Sequence, residues 1–288
     1  LPRGDAGTPL PQPAAMTLDS SATACCRVLY GHPLVELVLG ESLHPGGIDG
    51  TRRLLAAGSL APGARLLDAG CGSGASARLA AGEFRQVVAG IDVSEAAIQR
   101  ARERSMSDRD AIEFRTGDLT ELPYQAATFD AVLVECVLST LPKQVALLEL
   151  RRVLRSGGRL LLSDVRAQAD AATAHRIPAG LAGALCLGGA WQIGEVDRLL
   201  AEAGFRVERR WEEAQALEAF VDRAVARIEL LRVAGRDLDL DLAAMTNAVG
   251  ASIGAHGLGV DLRAALAEVR RALAGGSLGY FSAVARAT

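Results

Sequence analysis

The residues best placed to do chemistry run Leu66-Leu67-Asp68-Ala69-Gly70-Cys71-Gly72-Ser73-Gly74-Ala75. Glycines let a backbone turn sharply and approach a ligand closely. Gly70, Gly72 and Ala75 also satisfy the dinucleotide fingerprint, whose last position accepts alanine. Asp68, two residues before the first glycine, argues for a different ligand. A carboxylate there would crowd a pyrophosphate and suits a ligand with a cationic amino group. Asp92, in Ile91-Asp92-Val93-Ser94, is placed where a strand-end carboxylate can accept both hydroxyls of a ribose. Gly117-Asp118-Leu119 and Phe129-Asp130-Ala131-Val132 follow in order, and then Glu135.

These groups need a frame, and the hydrophobic pattern supplies one. Strands are predicted at Arg65–Ala69, Gln86–Asp92, Ile112–Thr116, Phe129–Cys136 and Arg159–Val165. Helices fall between them: one from Ala75, one capped by Ser94 and running to about Arg104, and one over Lys143–Leu154 stopped by Gly157-Gly158. Such alternation argues an α/β fold with a mostly parallel sheet. Further on come a helix over Ile193–Ala203, a strand over Phe205–Glu212, a helical stretch over 213–274 and a closing strand over Leu278–Arg286. Residues 1–21 read as a disordered tail, and 22–288 as one domain with an N-terminal helical segment, 22–58. Residues 166–194, with the uncharged run Ile177 to Gly194, read as a lid. The stretch 213–274 reads as a helical insertion capping the site.

Together the four spaced motifs resemble the class I S-adenosylmethionine-dependent methyltransferases, especially the branch related to ubiquinone and menaquinone biosynthesis. The resemblance covers roughly residues 60–165. It implies a doubly wound, Rossmann-like sheet of seven strands with an antiparallel last strand. It also implies a cofactor, S-adenosylmethionine, held by Asp68, Gly70, Cys71, Gly72, Gly74, Asp92, Val93, Asp118, Leu119 and Glu135. In that family's pattern Gly70 and Gly72 cradle the methionine end, Asp92 binds the ribose and Asp118 the adenine amino group. No residue is assigned to a resident metal.

A second resemblance bears on the methyl acceptor. Leu43-His44-Pro45-Gly46-Gly47, the segment Gly183 to Ala190 and Gly279-Tyr280-Phe281-Ser282-Ala283 are similar to arsenite methyltransferases. The resemblance implies a trivalent-arsenic ligand at Cys186. The chain departs from that family in having no cysteine after Cys186, which leaves Cys25, Cys26 or Cys136 as a second thiol. The expectation is a small acceptor with a soft nucleophile (a thiol, selenium or arsenic compound), with Cys186 at the methyl group. Cys186 as a small buried apolar residue is the competing reading. A carbon, oxygen or nitrogen acceptor would instead call for a general base, from Glu135, His44 or His175. A non-catalytic regulatory protein that keeps the cofactor pocket is a further alternative.

Composition narrows the partners. The 288 residues carry a net charge of -3, which argues against a nucleic-acid backbone as the main partner. Glycines and Pro178 make Ile177–Gly194 a poor membrane span. Five irregularly spaced cysteines imply no disulfide framework, so reduced thiols in a cytoplasm are the default. Lys143 is the only lysine among 31 basic residues, a bias that reads as GC-rich bacterial coding. The oligomeric state is not encoded in any of these features.

Overall fold

A computed structural model describes residues 36, 39–106, 112–168, 171, 175–177, 182, 185–237 and 262–288. In chain order the elements are α1 (Gly47–Gly58), β1 (Arg65–Ala69), α2 (Ala75–Gly82), β2 (Val87–Asp92), α3 (Glu95–Arg104), β3 (Glu113–Thr116) and β4 (Phe129–Glu135). There follow α4 (Lys143–Val153), β5 (Leu154–Ala167), α5 (Glu195–Glu202), β6 (Phe205–Glu212), α6 (Ala214–Asp237), α7 (Leu262–Ala274) and β7 (Leu278–Ala287). The seven strands lie in the order β3-β2-β1-β4-β5-β7-β6. The first five are parallel, and β7 runs antiparallel between β5 and β6. This is the doubly wound sheet with an antiparallel last strand that the motif order implies.

Both faces of the sheet are covered, and side chains alternate between them. Leu66, Val88, Leu133 and Leu161 pack on one face with Leu54, Leu79 and Ile98 of α1, α2 and α3. Leu67, Ala89, Val132 and Leu160 pack on the other with Leu147 and Leu150 of α4 and Leu199 of α5. A third apolar cluster joins Val165, Ala167 and Tyr280 to Ile177 and Cys186 of the expected lid and to Phe220 and Val269 of α6 and α7.

The Ser94 hydroxyl accepts from Ala97 N at 3.3 Å and caps α3 as expected. One boundary differs. α4 stops at Val153, and β5 starts at once with Leu154 paired to Phe129. The next pair is Ala131 with Arg159, so Gly157-Gly158 belongs to an irregularity in β5 and does not terminate the helix. Asp130 sits at the amino end of β4, where Oδ2 accepts from Arg65 N at 2.8 Å and Oδ1 meets Arg155 at 2.5 Å. It ties β1 to β5 and is not among the cavity residues described below.

Several expected features lie outside the described residues: the tail 1–21, most of the N-terminal segment before residue 39, and the thiols Cys25 and Cys26. Parts of the expected lid (169–170, 172–174, 178–181 and 183–184) and of the insertion (238–261) do so too. Among the described residues, no helix is long and apolar enough to cross a membrane.

Candidate active site

In a doubly wound sheet the helices leave on opposite sides of the strand where the order reverses, and a crevice opens there. Here the reversal falls between β1 and β4. A cavity of about 380 Å³ lies at the carboxyl ends of those strands. Its walls are the glycine loop after β1, Asp92–Ser94 after β2, Asp118–Thr120 after β3, Glu135–Val137 and Thr140–Pro142 after β4, and Glu41–His44 ahead of α1.

The loop is pinned from below. Gly70 N and Cys71 N both donate to Ile91 O, at 2.8 and 3.0 Å. Gly70 has φ +83, and a Cβ there would stand 2.4 Å from Val137. Gly72, at φ +51, has nothing within 4 Å of its Cβ position and lines the cavity. Gly74 is not among the lining residues; a Cβ there would meet the Phe114 ring at 2.8 Å.

The lining is strongly acidic. Glu41, Asp68, Asp92, Asp118 and Glu135 contribute carboxylates, and no lysine or arginine lines the cavity among the described residues. Asp92 is spoken for by backbone: Oδ2 accepts from Gly72 N at 3.0 Å and Oδ1 from Ser94 N at 2.8 Å. Asp118 is exposed and accepts from Thr120 N at 2.8 Å, while Leu119 beside it is buried. Asp68 is different. It is 3% exposed, and its Oδ2 has no hydrogen-bond partner. Burial pushes its carboxyl well above the usual range, and the negative charges of Glu135 and Asp92 push it further.

Glu135 is the centre of a network that sequence spacing does not reveal. Its Oε2 accepts from Ser76 Oγ at 2.8 Å and from Thr51 Oγ1 at 3.0 Å, and it lies 3.5 Å from His44 Nε2. Thr51 Oγ1 is also 3.3 Å from His44 Nε2. His44 is buried and lines the cavity, and its Nδ1 has no partner. The glycine turn before α1, with Thr51 on α1 and Ser76 on α2, thus converges on the end of β4. Thr51 and Ser76 carried no signal in the sequence, because neither belongs to a motif and their partner is remote. His175, the third candidate base, faces Ser277 at 3.1 Å and is not among the lining residues.

Cys136 packs against the apolar cluster that holds Cys186, so these two thiols share one region. Cys71 and Cys136 line the cavity; Cys186 does not, and is buried in the apolar cluster with Val165, Leu185 and Phe220. Burial pushes the thiols of Cys71 and Cys136 well above their ordinary value. Asp68 and Asp92 add to this at Cys71, and Asp164 and Glu135 at Cys136. Trp191 is fully buried in the core.

Residues 60–204 match a family model described as a methyltransferase domain, half of the chain. Over 221 residues the chain is 32% identical to 27-O-demethylrifamycin SV methyltransferase of Amycolatopsis mediterranei, covering 69% of this chain and 79% of that one. The chain belongs to the S-adenosylmethionine-dependent methyltransferases. It is also 36% identical over 152 residues to an arsenite methyltransferase of Halobacterium salinarum, a match that spans 51% of this chain and only 38% of the relative. The fold matches phosphoethanolamine N-methyltransferase 2 of Haemonchus contortus in complex with S-adenosylmethionine, with TM-score 0.68 and 18% identity over 91% of this chain and 60% of that one.

The site of this methyltransferase fits the family's methyl donor. S-adenosylmethionine brings an ammonium and a sulfonium, which are the positive charges that an acidic cavity without lysine or arginine lacks. The unpartnered Oδ2 of buried Asp68 is left for such a group.

Asp68→Asn tests this balance. A carboxyl whose folded pKa is raised gives stability below the unfolded value and loses it as pH rises through the folded value. Asparagine does not ionise, so the ligand-free variant should melt higher than wild type at pH 8, by on the order of 1 kcal/mol, and nearly equal at pH 4. Donor affinity should fall at least tenfold in calorimetry at pH 8. A lower melting temperature of the variant at pH 8 would overturn the account of Asp68.

Proposed function

We propose that this methyltransferase transfers the methyl group of S-adenosylmethionine to a hydroxyl oxygen of a small molecule with an apolar body. The observation that carries this reading is His44, a buried imidazole lining the donor cavity with Nδ1 unpartnered and Nε2 against Glu135. A hydroxyl is a poor nucleophile until its proton is removed, and a positioned imidazole is the usual acceptor. In this reading the acceptor oxygen attacks the methyl carbon in line with the sulfonium sulfur. The carbon–sulfur bond breaks, its electron pair returns to sulfur as a neutral thioether, and the hydroxyl proton passes to the His44 imidazole. Glu135 orients the ring through Nε2 and stabilises the imidazolium. Its oxygens are already engaged by Thr51 and Ser76, which favours an orienting role over that of the base itself.

On the donor side, Gly70 and Gly72 would admit the methionine end, with Asp68 facing its ammonium. Asp92 and Val93 would meet the ribose, and Asp118 and Leu119 the adenine. Leu43, Val137, Leu141 and Pro142 add apolar surface to the cavity lining. The likeness to the rifamycin enzyme, an O-methyltransferase by its printed name over 79% of its length, supports oxygen as the acceptor atom.

The soft-acceptor reading fares worse on physical grounds. Thiolates, not thiols, bind arsenic and selenium. Cys136, the lining thiol nearest Glu135 in sequence, is held protonated by burial and by Asp164 and Glu135. Cys186 lies outside the lining.

Two experiments test the two sides. Asp92→Ala should weaken donor binding at least tenfold, since each charge-assisted bond to a ribose hydroxyl contributes about 1.5–3 kcal/mol. Unchanged affinity in calorimetry would remove Asp92 from the site. His44→Ala should bind S-adenosylmethionine as wild type does, yet lose roughly 10²–10⁴ in turnover with hydroxyl acceptors. Cys186→Ser should keep its turnover, with only a small loss of stability. Full activity in His44→Ala together with a dead Cys186→Ser would reverse the assignment in favour of a soft acceptor.

A further inference from the structure

One wall of the cavity is the turn after β4, from which Val137, Thr140 and Leu141 line it. Ser139, inside that turn, donates its N–H to Asp164 Oδ2 at 3.0 Å. Trp191 donates its indole N–H to the same oxygen at 3.2 Å. Asp164 is fully buried near the end of β5, and its Oδ1 accepts from Val165 N at 2.8 Å. Trp191 is the residue at which the expected lid segment returns to the sheet. Its N–H donates to Val165 O and its carbonyl accepts from Ala167 N, both at 3.0 Å.

Gly189 closes the contact. A Cβ built there would lie 1.9 Å from Ser139 O, so no side chain fits between the returning lid segment and the cavity turn. The Trp191 ring is held from two further sides, edge-on by Phe281 at 6.0 Å and by Lys143 Nζ at 5.2 Å. Lys143 opens α4, directly after the cavity wall, and reaches Glu195 of α5 at 3.6 Å.

A buried carboxylate is expensive to retain, and a role that ordinary apolar packing could fill does not call for one. What Asp164 does that packing cannot is accept two N–H groups from two separate segments on a single oxygen. We propose that Asp164 and Trp191 are positioning residues, a latch that ties the donor-cavity wall to the segment Leu187–Trp191. Occupancy of the donor site and the placement of that segment are then coupled through one oxygen atom, with neither residue lining the cavity.

The latch can be tested with S-adenosylhomocysteine, without any acceptor and so independently of the hydroxyl reading. The chain has two tryptophans, so Trp211→Phe leaves Trp191 as the sole reporter. In that background, saturating S-adenosylhomocysteine should shift the Trp191 emission, and adding Asp164→Asn should remove the shift. In the otherwise unchanged chain, Trp191→Phe keeps a ring but loses the donor, and should weaken S-adenosylhomocysteine binding about tenfold. Combining it with Asp164→Asn should cost less than the two single effects added, because the two changes share the Trp191–Asp164 bond. Should Asp164→Asn fail to fold, Trp191→Phe decides alone. Unshifted Trp191 emission, or wild-type affinity in Trp191→Phe alongside a lowered melting temperature, would reduce the pair to packing.

Discussion

Mutual repulsion among carboxylates in one cavity is the constraint around which the active-site end of this methyltransferase is arranged. Asp68, Asp92 and Glu135 stand at the carboxyl ends of β1, β2 and β4, three strands that are neighbours in the sheet. Each charge is handled differently. Glu135 receives hydroxyl hydrogen bonds and an imidazole, and Asp92 receives two backbone N–H groups. Asp68 keeps an unpartnered oxygen in a buried position. A fold selected for stability alone would not leave that oxygen unsatisfied. Protonation relieves the cost in the ligand-free protein, and a cationic ligand would relieve it in the charged form.

The topology places these groups without help from the loops. With β1 between β2 and β4, any strand-end residue of the three faces the same crevice. The glycine loop can then be short, because Ile91 O on the neighbouring strand fixes two of its N–H groups. Gly70 is required by Val137, which occupies the space a side chain would need. The loop is therefore shaped as much by the wall after β4 as by its own sequence. That wall in turn rests on Asp164 and Trp191, so the rigid parts of the site form a chain of contacts from β2 across to β5.

What could be read in the sequence was whatever is local. Continuous apolar runs mark the buried strands, Ser94 marks a cap, and the ordered acid motifs mark the donor side. The His44 network could not be read that way. His44, Thr51, Ser76 and Glu135 come from a turn, two helices and a strand, and only the folded sheet brings them together. The misplaced end of α4 has a similar origin. Two adjacent glycines commonly stop a helix, yet here they relieve an irregular pairing between β4 and β5, which depends on a partner strand. Asp130 shows the limit of motif logic: it belongs to the same ordered series of acid motifs, but stands at the opposite end of its strand from Glu135.

The same distinction bears on the acceptor. A cysteine in a glycine-rich run invites a soft-ligand reading from its neighbours in sequence, whereas the cluster that buries it is mostly aliphatic and aromatic, with Cys136 packed against it. Soft-atom chemistry needs a thiolate, and the negative charges that suit this cavity to a sulfonium raise the cost of a thiolate beside them. An acidic lining therefore works against arsenic or selenium capture at Cys136 by the same field that attracts the donor. It works in favour of an imidazole base, because a protonated imidazole is a cation and is stabilised by the carboxylate it touches. In the proposed hydroxyl reading, once the methyl group has left, the sulfur is neutral and the proton sits on His44, so the positive charge moves from the ligand to the protein. The product then holds less of the electrostatic attraction than the donor did, and the charge arrangement that recruits S-adenosylmethionine also loosens S-adenosylhomocysteine.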